Sequence, residues 1–233
     1  MTQGFNQRFM VNPRAFLEHN QVAFDDVLTD KITTNEKSIG TVTLYPDQEK
    51  NFLPPSGAGE DEPERHVLRL SAYCEDAGYQ NGRPHAKSHP IQAYWLPNSS
   101  TDFPHLDLGD EANFFFCFPL QGPIAFQETG SVLRLLNVSS NIDTEGTRGK
   151  ATQYFGNDIP VTLYPEFAEN RFDFARTFIF GIRRESGWHL YSQFYTENTR
   201  RVGMRGQREQ SGMERSEQTR QIWPEVRQAA SQD

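Results

Sequence analysis

Apolar and polar positions alternate with a period of two along several short stretches of this chain. Residues 66–74 (HVLRLSAYC) put Leu68, Leu70, Ala72 and Cys74 on one face, with Arg69 and Ser71 opposite. That is the pattern of a half-buried strand. In residues 40–45, Val42 and Leu44 share a face. In 174–184, Phe174, Arg176, Phe178, Phe180 and Ile182 do. Residues 22–28, 91–97, 159–164 and 187–195 read as further strands, with the turn of a hairpin at 185–187. The densest apolar stretch is 112–138. Its prolines and glycines divide it into three short strands, 112–118, 123–127 and 131–138.

The remainder is punctuation. Residues 1–21 are polar, with one apolar patch at Ala15, Phe16 and Leu17, and read as a short helix or an arm. Residues 46–65, 75–90 and 99–110 are rich in Pro, Gly or acidic residues and read as loops. Residues 141–157 read as a polar loop or short helix. The pattern predicts an α+β, β-rich fold: a sandwich of mixed β-sheets with peripheral helices and long loops. One domain covers 1–199, and 200–233 form a polar C-terminal tail or short helix. Within that tail, 217–230 fit a terminal helix with Ile222, Trp223 and Val226 as its apolar patch, although Pro224 sits awkwardly inside it. Leu68, Leu70, Phe115, Phe178 and Phe180 are expected in one common core.

Composition narrows the classes. Hydrophobic residues make up 36% of the 233 positions, which is polar for a globular chain, but 18 Phe are too many for a disordered one. No apolar run is long enough to span a membrane as a helix. The net charge is -8, and the last 34 residues carry seven Arg against five acids, so the body is more acidic than the whole. Such a body repels nucleic acid, whose binding rests on phosphate neutralisation. Two cysteines, Cys74 and Cys117, make no disulfide framework and suit a reducing compartment. Residues 1–10 lack the apolar core of a Sec signal.

Most candidate chemistry reads as structure. His85 and His89 are four apart, but the prolines around them oppose a helix and no further ligand completes a metal set. The acidic run 60–64 lacks the alternating ligands and central Gly of a calcium loop. The Asn137-Val138-Ser139 sequon carries no meaning without a secretory signal. No phosphate loop, dinucleotide fingerprint or nucleophile elbow occurs. No metal or cofactor is expected.

One constellation carries a resemblance. Trp95-Leu96-Pro97 closes a strand, Phe115 and Phe116 follow, and then Leu120-Gln121-Gly122-Pro123 forms a turn. This resembles the Burkholderia lethal factor family of glutamine deamidase toxins, related in fold to the cytotoxic necrotizing factors. That family shows a Trp-Leu-Pro strand end, two Phe and a Thr, a Leu-Ser-Gly-Cys turn, and a His twelve residues after the Cys. Ala23-Phe24-Asp25 and Gly40 to Pro46 are similar to the family's first strands. The likeness covers about residues 22–138. It implies a sandwich of mixed sheets and a virulence-type origin. The expected location is the bacterial cytoplasm; delivery to a host cytoplasm by a dedicated secretion machine stays open, since it would leave no Sec signal. In the family a Cys thiolate, activated by the His, attacks a glutamine amide of a host protein, a Rho-type GTPase or a translation initiation helicase.

The same alignment removes the chemistry. The family Cys falls on Pro123 and its His on Leu135, twelve residues on, while the Thr falls on Cys117. Pro123 has neither a nucleophile nor an N–H to stabilise an oxyanion, and Leu135 cannot take a proton. The resulting reading is a catalytically silent relative that acts by binding a protein. A first alternative is an active protein-glutamine deamidase, a hydrolase whose nucleophile has moved to Cys117 with His105 or His189 as base. A second is a structural β-sandwich of the virion type, which would assemble through sheet edges or the tail. The plain reading of Cys117 is a small apolar residue inside a Phe-rich strand.

Overall fold

The computed structural model of the protein describes residues 4–24, 31–46, 50–52, 67–73, 79–80, 83–84, 89–97, 104–117, 124–137, 149, 152–156, 161–163, 174–200, 210–214 and 220–223. Two short helices open it, α1 (Phe5–Val11) and α2 (Pro13–His19). Between them Asn12 caps α2 by accepting from the Ala15 N–H at 3.2 Å. Pro13 takes the first position of α2, where a missing N–H is harmless.

Strands follow. The first four are β1 (Gln21–Phe24), β2 (Ile39–Pro46), β3 (Lys50–Phe52) and β4 (Val67–Ala72). A small hairpin, β5 (Tyr79–Gln80) and β6 (Arg83–Pro84), precedes β7 (Ile91–Leu96), β8 (His105–Leu108) and β9 (Phe114–Cys117). Then come β10 (Ile124–Thr129), β11 (Val132–Asn137) and β12 (Val161–Leu163). The last four are β13 (Phe174–Arg184), β14 (Gly187–Arg200), β15 (Gln210–Glu214) and β16 (Arg220–Trp223).

These strands form a β-rich α+β fold built on mixed sheets. The large sheet has the order β1-β4-β2-β7-β9-β13-β14-β15-β3, with β16 also on β14. Its β1–β4, β7–β9 and β15–β3 pairs are parallel and its other pairs antiparallel. A second, antiparallel sheet has the order β12-β10-β11-β8.

Strand alternation sorts the apolar residues into two layers. On one face of the large sheet Trp95, Phe116, Phe178, Phe180 and Tyr191 pack with Phe9, Phe16 and Leu17 of the helices. On the other face Tyr94, Phe115, Cys117, Ile179 and Leu190 pack with Leu106, Phe126, Leu133 and Leu135 of the small sheet. Gly181 lets that second layer close. A Cβ there would lie 2.8 Å from Leu190 Cδ2 and 3.0 Å from Phe115 Cβ.

Two buried amides fix the helices to the large sheet. The β2–β7 ladder ends at Val42 opposite Ile91. Beyond it the Asn6 amide takes over, accepting from the Leu44 N–H at 2.8 Å and donating to the His89 carbonyl at 2.8 Å. It also donates to Thr43 Oγ1 at 2.9 Å. At the far end of α2, Gln193 of β14 donates to the carbonyls of Leu17 and Asn20 at 2.5 and 3.0 Å and accepts from the Val22 N–H at 3.4 Å. Carbonyls at a helix end need such partners.

The hairpin expected at 185–187 is present: Arg184 pairs with Gly187, whose φ of 108° suits glycine. Part of the 217–230 stretch expected as a helix is strand β16, because β14 offers free backbone at Leu190 to Ser192. The tail thus contributes β15 and β16 to the large sheet. Residues 46–65, 75–90 and 99–110, expected as loops, hold β3, the β5–β6 pair and β8. Phe115 is buried as expected, but on the opposite face from Leu68, Leu70, Phe178 and Phe180. Cys74, His85 and residues 25–28 and 60–64 lie outside the described residues. No helix among the described residues is long and apolar enough to cross a membrane.

Candidate functional site

Two of the positions that the deamidase alignment singles out, Cys117 and Leu135, lie in the layer between the two sheets. Cys117 ends β9, beside Leu96 of β7 in the parallel ladder. It shares a face with Phe115, and its side chain is fully buried. Burial pushes its thiol far above the ordinary range. A thiol nucleophile works as the thiolate, so this site opposes the reactive form. Leu135 sits in β11 between Phe126 of β10 and Leu106 of β8, also fully buried. Pro123 lies outside the described residues; Ile124, which follows it, opposes Asn137.

Neither candidate base joins that layer. His105 is exposed on β8, one residue from the buried Leu106, so alternation sends it to the outer face of the small sheet. There its ring lies 4.5 Å from that of Tyr154. Tyr154 donates to Asp107 Oδ1 at 2.5 Å, and the Arg134 guanidinium carbon stands 5.9 Å from the Tyr154 ring centre. Burial, with Asp107 adding, pushes the Tyr154 hydroxyl up. His189 lies between Trp188 and Leu190, which face the small sheet, so it falls on the helix side of the large sheet. Its Nε2 is 2.8 Å from Ser186 Oγ in the hairpin turn. Burial, then Arg184, lowers its pKa. The three members of a relocated Cys–His site therefore occupy three different layers, and sheets stack about 10 Å apart.

Strand β16 finishes the layer. Its pairing with β14 brings Ile222 and Trp223 in among these residues, both buried. The Trp223 ring lies 6.1 Å from that of Phe126, the residue paired with Leu135. Cys117 and Leu135 thus share an apolar cluster with the rings of Phe115, Phe126 and Trp223.

A connected polar group stands at one margin of this layer. The Tyr94 hydroxyl donates to one Glu111 oxygen, and the Lys37 ammonium binds the other. Lys37, then Tyr94, holds the Glu111 carboxyl down at about 2, while burial, with Glu111 adding, raises Tyr94 to about 12. The Gly109 N–H donates to the Tyr94 oxygen at 3.1 Å, and Trp188 Nε1–H donates to the Gly109 carbonyl at 3.1 Å. A tyrosine raised this far is no base at neutral pH. The group clamps the β8–β9 loop onto the turn before β2. It left no local pattern in the sequence, because Lys37 and Glu111 lie 74 positions apart and Gly109 and Trp188 lie 79 apart.

An open groove lies among the described residues at the corner between α1 and α2. It encloses about 610 Å³ and is lined by Met10, Val11, Phe114, Ile182, Arg183 and Arg184, among others. No three His, Cys, Asp or Glu side chains cluster as metal ligands among the described residues.

A comparison of the chain with protein-family models and with curated proteins finds no match.

Proposed function

We propose that this protein acts by binding another protein, on a sandwich of the deamidase-toxin type whose catalytic positions are silent. The supporting observation is the packing of Leu135, Cys117 and Trp223 in one apolar layer. A deamidase needs a thiolate and a base within hydrogen-bond reach of a glutamine amide. Cys117 is sealed, both histidines lie in other layers, and Leu135 occupies the aligned base position. The resemblance is what suggests the lineage, and the packing speaks against a thiolate at Cys117.

Light scattering on the isolated chain, followed by crosslinking to a candidate host protein, tests this. The binding reading expects a discrete species alone and a saturable one-to-one complex with its partner. Assembly of the isolated chain into regular many-subunit particles would point to a structural role instead.

A further inference from the structure

We infer that the groove at the α1–α2 corner docks an acidic peptide segment of a partner protein, one that carries an apolar side chain beside its carboxylates. The inference rests on the binding reading above and adds a place and a chemistry to it.

The groove has two kinds of surface. Its apolar part is Met10, Val11 and Pro13 from the helix corner, with Phe114 of β9 and Ile182 of β13. Val11 is 74% exposed, the one large hydrophobic so exposed among the described residues. A single exposed valine means little by itself. Here it stands on the wall of a cavity of about 610 Å³, a size that suits a small ligand or a few peptide side chains.

The charged part decides the occupant. Arg183 and Arg184 line the groove at the end of β13 against a single acid, Glu185. The chain as a whole carries a net charge of -8, so a basic lining is local and runs against the average. Among the described residues neither guanidinium pairs with a carboxylate within ion-pair distance. An arginine fork matches a carboxylate in shape as well as charge. An extended polyanion such as nucleic acid would bring many charges against the acidic body. A short acidic peptide brings few, and its apolar side chain has Val11 and Phe114 to cover.

The test uses the full chain and two labelled peptides, one of alternating Glu and Leu, the other of alternating Lys and Leu. Binding is read by fluorescence anisotropy and located by backbone amide shifts. The expected result is saturable binding of the acidic peptide alone, with shifts confined to Val11, Phe114 and residues 182–185. Arg183→Glu with Arg184→Glu should weaken binding at least about tenfold, and Val11→Asp should weaken it too. These side chains are exposed, so an unchanged thermal midpoint should accompany each loss. No saturable binding, equal binding of both peptides, or indifference to the substitutions would overturn the proposal. Shifts mapping to another face would overturn the groove and leave the binding reading standing.

Discussion

Cys117 and Leu135 lie on opposite sheets and pack into the same apolar layer, each with no exposed surface. One is the best remaining nucleophile; the other occupies the position aligned with a catalytic histidine. Their shared burial makes both core residues and keeps solvent from either side chain.

The first consequence concerns thiol reactivity. In a Cys74→Ala background, Cys117 should resist a thiol-specific reagent in the native state and react fully once unfolded, because burial raises its pKa and blocks access. Rapid native labelling would show that the layer opens.

Strand β16 should matter for stability out of proportion to its length. Trp223→Ala removes an indole packed on Phe126 and should cost about 3–4 kcal/mol in denaturant unfolding. A loss below about 1 kcal/mol would mean that the strand is dispensable to the core.

Gln193→Ala should cost about 2 kcal/mol, since it removes the hydrogen bonds that tie Leu17, Asn20 and Val22 to β14. Gln193→Glu should be worse at neutral pH, because a buried carboxylate would face the carbonyls of Leu17 and Asn20. Equilibrium urea titrations of the three proteins give the comparison.

Much of the fold was legible from alternation alone. Strand β13 coincides with its expected range because eleven residues of period-two pattern leave little ambiguity. Strand β8 shows the same pattern over only four residues, too few to stand out beside Pro104. The β16 segment misled because Ile222, Trp223 and Val226 also fit a helical face. Its strand pairing is supplied by β14, some thirty residues away in the chain. The apolar character of Cys117 was readable from its Phe-rich neighbours. The Lys37–Glu111–Tyr94 group was not, since long-range polar contacts leave no local signature.

That group should show in the acid limb of stability. The Glu111 carboxyl is held at about 2 in the folded protein against an ordinary 4.5. Its contribution is therefore full above about 4.5 and fades as pH falls toward 2. Glu111→Gln should be less stable than the natural protein at neutral pH, with the gap closing through that window and shrinking in high salt. A gap independent of pH would assign the effect to packing.

The most direct measurement is ammonia release from the glutamines of candidate host proteins, made with the natural protein and with Cys117→Ala. The account predicts no release above background from either, because Cys117 is sealed and the positions aligned with the family's Cys and His hold Pro123 and Leu135. Release by the natural protein that disappears in Cys117→Ala would contradict it and make Cys117 the nucleophile of a working deamidase.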